Sequence, residues 1–149
     1  MIRVSPWASQ PISPPRPPQC SQAEQLPSVG VQTALILKAE IGDATRFRNA
    51  RAAASFAGVV PRVMDSGDRS HHGRMTKRGN AEVRWILTEW AVRLLRIHPV
   101  VRRWAAPKLR RMHKNKVRMA LAHRLMIGVW VIRSRGEVFS LERCLGLTA

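Results

Sequence analysis

After Asn80 the apolar residues Val83, Ile86, Leu87, Trp90, Ala91, Leu94 and Leu95 recur every three to four positions. That interval is the helical repeat, and a stripe of this kind must be covered by another element. It predicts a helix from Asn80, a good N-cap, to about Arg96, with Arg84 and Arg93 off the stripe and His98-Pro99 as the break. A second stripe, Val117, Ala120, Leu121, Leu125, Gly128, Val129 and Ile132, predicts a helix over 116–134 with Gly136 past its end. Between them a basic helix is expected over 100–114, kinked or restarted at Pro107. Upstream, Asn49 can cap a small Ala-rich helix over 50–57, stopped by Gly58. Strand signals are weak throughout, so the fold class is mainly α: a small helical domain with a helix-hairpin-helix-like start, a basic loop and three C-terminal helices.

The beginning of the chain reads differently. Pro6, Pro11, Pro14, Pro15, Pro17 and Pro18 exclude helix and central strand there. Residues 1–20 are expected to be a disordered Pro-rich tail. A proline-rich ligand for another domain, or read-through that is not native protein sequence, are the other readings for this part. Ser21 and Glu24 fit a capping box for a short helix stopped by Pro27. The domain is expected over 21–136, with 137–149 as a C-terminal tail.

The chain has 149 residues, with 26 Lys and Arg against 9 Asp and Glu, and a net charge of +17. Of these, 22 basic and four acidic residues fall between Arg46 and Arg135. Self-repulsion on this scale calls for a bound polyanion, DNA or RNA before an anionic membrane surface. The longest apolar run, Leu125 to Ile132, is too short to span a bilayer. Cys20 and Cys144 lack zinc-site spacing, and the first residues lack the apolar core of a signal peptide. A cytoplasmic protein with no membrane partner is therefore expected.

The segment Pro61 to Gly79, PRVMDSGDRSHHGRMTKRG, has no hydrophobic period and reads as a basic loop. Arg74, Lys77 and Arg78 lie between Gly73 and Gly79, just ahead of a helix, where cations, backbone donors and the helix dipole could meet an anion. No Walker pattern is present. Ser66 is a weak nucleophile unless a base or strong field activates it, and Arg62, Arg69 and Arg74 are the nearby cations. Adjacent His71 and His72 point apart in regular structure, and no acidic cluster suits Mg²⁺. No metal site or cofactor is therefore expected within this chain. Leu26 to Ala34 looks like a Gly-hydrophobic-Gly phosphate turn, with Ser28 in the first glycine position and Gly30 in the second. An ordinary helix start explains it equally well.

The pieces also stand in a familiar order: Leu26-Pro-Ser-Val-Gly30, Ala39-Glu-Ile-Gly-Asp43, Arg46-Phe47, Ala54-Ser-Phe-Ala-Gly-Val-Val-Pro61, Ser66-Gly67, and Gly73-Arg-Met-Thr-Lys-Arg-Gly-Asn80 followed by Arg84. From Leu26 to Ser134 the chain resembles the C-terminal domain of the DEDD insertion-sequence transposases related to the Piv DNA invertase, the IS-one-ten family. The resemblance implies DNA transposition or recombination through a serine nucleophile at Ser66. Gly30, Arg62, Arg69, Arg74, Lys77, Arg78 and Arg84 are the candidate DNA contacts. In the family a RuvC-like domain supplies four acidic residues and Mg²⁺, and an element-encoded guide RNA selects DNA. That acidic domain has no counterpart here, which implies a truncated copy, inactive alone. Its implied partners are DNA, guide RNA, and an intact transposase or a second copy. The competing reading is a non-catalytic basic helical module that binds DNA or RNA.

Overall fold

The computed structural model describes residues 26–66, 69–75 and 78–147. The Pro-rich segment, the Ser21–Glu24 capping box, Cys20, Gly67 and Lys77 lie outside them. The main-chain order is α1 (Val31–Ile41), a 3₁₀ turn (Ala44–Arg46), α2 (Ala50–Phe56), β1 (Pro61–Ser66), β2 (Arg69–Met75), α3 (Ala81–Ile97), α4 (Pro99–Leu109), α5 (Lys114–Arg135) and α6 (Leu141–Leu145). The domain is small and mainly helical, as the periodicity dictates.

Helix α5 is the hub. It packs against α2, α3, α4, α6 and the 3₁₀ turn. Its buried face is Val117, Leu121, Ala122, Leu125, Met126, Val129 and Ile132. Opposite lie Val83, Ile86, Leu87, Trp90, Ala91 and Leu94 of α3. The interior among the described residues holds no buried polar or charged residue. Cohesion therefore comes from apolar area, at about 25 cal/mol per Å² removed from water.

The helix ends follow local chemistry. Asn49 Oδ1 accepts from Ala52 N at 2.8 Å, starting α2. Asn80 Oδ1 accepts from Glu82 N and Val83 N at 3.0 and 3.1 Å, starting α3. Helix α4 begins on Pro99 at its first turn and ends at Leu109, earlier than the pattern suggests. His113 then caps α5, its Nδ1 accepting from Asn115 N at 3.2 Å. Gly136, at φ 68°, ends α5 in the left-handed region.

Two Trp-x-x-Arg pairs fix α1 at both of its ends. On α3, Trp90 Nε1 donates to Pro27 O at 2.8 Å and Arg93 Nη1 to Ser28 O at 3.2 Å. On α5, Trp130 Nε1 donates to Ala44 O at 3.2 Å and Arg133 Nη2 to Gly42 O at 2.7 Å. One turn of helix places each tryptophan and arginine side by side. Each pair satisfies two loop carbonyls while the indole stays largely in the core.

Two segments differ from the sequence reading. The stretch read as a basic loop forms the antiparallel β1–β2 hairpin. The segment shows no alternation of apolar and polar residues in its sequence, and the strands are defined by main-chain pairing between residues distant along the chain. The stretch read as a C-terminal tail carries α6, whose Leu141 and Leu145 are buried against α5. Gly128 makes this docking possible: a Cβ there would lie 2.8 Å from the Phe139 ring and 3.2 Å from Cys144 Sγ.

Candidate nucleic-acid interface

The hairpin leaves the helical body through a narrow neck. After α2 the chain turns at Gly58, φ 66°, and it returns through Gly79, φ 119°. A Cβ on Gly79 would sit 2.7 Å from both Gly58 N and Phe56 O; one on Gly58 would sit 2.6 Å from Arg78 O. Asn80 N donates to Phe56 O at 2.7 Å and closes the neck. Both glycines are required here, by conformation and by close approach.

Beyond the neck, Ser66 is the last residue of β1 and pairs with Arg69, the first of β2. Asp65 pairs with Ser70, Met64 with His71 and Val63 with His72. The register is irregular between Pro61 and Val63, which places Arg62 across from the Gly73-Arg74 step. Strands rise about 3.3 Å per residue, so Arg62 lies about 13 Å along the strand from Ser66. Arg69 is thus the basic position paired with Ser66 in the backbone register, whereas Arg62 and Arg74 stand at register positions toward the neck. Arg78 is exposed at the neck. Arg84 is half-buried one turn into α3, and its Nη1 is buried with no hydrogen-bond partner among the described residues.

The α3 N-terminus is not open to an anion in the way the sequence suggests. Asn80 occupies its first free N–H groups, Glu82 stands in its first turn, and Glu40 accepts from Asn80 Nδ2. Gly30, at φ −78°, caps α1 and is exposed, with nothing within 4 Å of an added Cβ. The left-handed conformation falls instead on Ser28, at φ 62°. Ser28, read as standing in the first glycine position, thus holds a positive φ with a Cβ in place.

The described carboxylates do not fit a magnesium site. Glu40 bonds Asn80, Asp43 caps the 3₁₀ turn, and Glu137 faces Arg135 and Arg143 at 3.8 and 3.5 Å. Among the described residues no three His, Cys, Asp or Glu come together. Cys144 is no rival nucleophile: burial pushes its thiol up to about 11, and its Sγ donates to Arg124 O at 2.8 Å. Thiolate, the reactive form, is scarce at neutral pH. His123 is held below its ordinary 6.5, first by burial and then by the neighbouring Arg124.

The signal for the neck was present in the sequence as Gly58 and Gly79 but could not be paired without the fold. The Trp-x-x-Arg clamps were missed because Trp90 reads simply as core and Trp130 falls off the second apolar stripe.

Comparison with known proteins gives these positions their context. The chain is 33% identical over 119 residues to the "Transposase for insertion sequence element IS1328" of Yersinia enterocolitica, covering 77% of this chain and 36% of that protein. It is 31% identical over 125 residues to the "Transposase for insertion sequence element IS1111A" of Coxiella burnetii, covering 80% and 34%. A "Probable family 20 transposase" of Pseudomonas aeruginosa is 32% identical over 111 residues, covering 72% and 33%. The chain spans about a third of the length of these curated relatives. The family "Transposase IS116/IS110/IS902 family" matches residues 20–106, across α1, the hairpin, α3 and most of α4. By that match over more than half of its length, this chain belongs to the IS116/IS110/IS902 transposase family.

Proposed function

We propose that this chain is the DNA-engaging C-terminal part of an insertion-sequence transposase and acts in DNA transposition with Ser66 as nucleophile. The observation that carries the reading is the placement of Ser66 opposite Arg69 on a narrow arm that also bears Arg62 and Arg74, in a chain of this family. In the reaction the Ser66 Oγ attacks a DNA phosphodiester. A new Oγ–P bond forms, one P–O bond of the strand breaks, and the departing sugar oxygen takes up a proton. The hydroxyl proton passes to a general base of the assembled complex. Arg69 offsets charge building on the phosphoryl oxygens, while Arg62, Arg74, Lys77, Arg78 and Arg84 hold the flanking strand. The acidic residues are those of the family's RuvC-like domain, with a guide RNA and an intact transposase as co-assembling partners in the cytoplasm.

Trapping tests this reading. The full chain is mixed with a family acidic domain, guide RNA and cleavable DNA, and covalent protein–DNA adducts are resolved on a denaturing gel. An adduct that disappears in Ser66→Ala is expected. A folded chain that binds DNA but never forms one supports the second reading, a non-catalytic nucleic-acid module.

A further inference from the structure

The hairpin is not the densest concentration of positive charge. From Trp90 to Gly136 the chain contains 13 Lys and Arg and no Asp or Glu. The fold gathers part of this run where three helices meet. Arg96 of α3, Arg102 of α4, and Lys114 and Arg118 of α5 line one open depression of about 320 Å³, floored by aliphatic side chains such as Leu95 and Ala105. No carboxylate lines it. Arg96, Arg102 and Lys114 are exposed, and none of them has an ion-pair partner among the described residues. Arg118 is half-buried and reaches Asn115 Oδ1 at 3.4 Å. Exposed Arg110, Arg111 and Lys116 continue the surface around the α4–α5 turn.

Four cations converging from three helices repel one another unless an anion sits among them. The depression is open, so it suits an extended polyanion rather than an enclosed small molecule. It also presents no aromatic ring. The nearby Trp104 is buried, with Lys108 Nζ 4.2 Å and the Arg124 guanidinium 5.8 Å from its ring centre. Single strands are held by base stacking on exposed rings, whereas a duplex offers its phosphates outward. We propose that the α3–α4–α5 depression seats the phosphate backbone of duplex DNA, as a sequence-independent contact separate from the hairpin. This inference rests on the nucleic-acid reading above but not on Ser66 chemistry.

The test uses the full chain and three probes: a mixed-sequence DNA duplex, the corresponding single strand and an RNA hairpin. Arg96→Gln, Arg102→Gln and Lys114→Gln are combined in one variant. A control variant, Arg48→Gln, Arg51→Gln and Arg143→Gln, removes the same charge from exposed positions elsewhere. The depression variant should lose at least about tenfold in duplex affinity, and its slope of log K against log salt should become shallower by about 2–3. The control should retain most of its affinity. In the parent chain, duplex DNA should protect Lys114 from acetylation, read by mass spectrometry; this measurement does not depend on any variant folding. Equal losses in the two variants, unprotected Lys114, or an effect confined to RNA or single strands would overturn the assignment. A parent chain that binds none of the probes at low salt sinks the nucleic-acid reading as well. If the parent binds and only the depression is silent, this inference falls alone.

Discussion

The helical body and the hairpin arm are held together by different means. The body has an interior free of buried polar residues, built around α5 and contacted by nearly every other helix. The arm is a two-stranded ladder paired between its own strands, and its two ends meet at Gly58 and Gly79. Packing thus supplies a platform, while the serine position lies on a strand pair defined by its own backbone ladder. Binding and catalytic groups are often carried on such connections by a stable scaffold.

The sharpest way to break this contrast is to damage the body. Leu87 is fully buried in α3, and Leu87→Ala should cost about 2–5 kcal/mol in urea unfolding. A loss under about 1 kcal/mol would mean that the α3–α5 interface is looser than described. Gly79→Ala comes next. It imposes a side chain on a residue at φ 119° and drives a Cβ against Gly58 and Phe56. About 2 kcal/mol of destabilisation is expected, measured the same way. If stability is unchanged, the neck does not close as described.

Much of the body was legible before any coordinates. The stripe from Val83 to Leu94 and the caps at Asn49 and Asn80 stand where periodicity and capping chemistry placed them. The arm was not legible, because Arg62 to Arg74 alternate no apolar face and strand pairing is a relation between distant residues. The α6 docking was equally hidden: five residues are too few for a helical period, and the slot at Gly128 exists only once Phe139 folds back on α5. At the candidate site, order along the chain pointed to Ser66 only through family resemblance. It could not reveal that Arg69 stands opposite while Arg62 and Arg74 lie toward the neck. Nor could it show that the α3 N-terminus is already filled by Asn80 and Glu40.

Smaller perturbations refine the same contrast. Asn80→Ala removes the cap where the arm re-enters the body and should cost about 1 kcal/mol. Ser28→Gly should act in the opposite direction. Its φ of 62° strains a residue with a Cβ, so glycine there should stabilise by up to about 1 kcal/mol in the same unfolding experiment. The slightest effect is expected with pH. His123 on α5 touches the Val59 backbone beside the neck, and burial favours its neutral form in the folded chain. The unfolded chain therefore takes up the proton first, near the ordinary value of 6.5. Stability contributed by this group is complete above that pH and declines as pH falls below it. His123→Gln should flatten the acid side of the melting-temperature profile; an unaltered profile would assign the slope to other groups.

The glycine contact at the neck has a consequence for how such a chain can change. Because both ends of the intervening segment meet at one fixed point, that segment is in effect a cassette seated in a socket. It can be exchanged, shortened or lengthened while the helices keep their arrangement. Diversification of the arm is thereby uncoupled from preservation of what supports it.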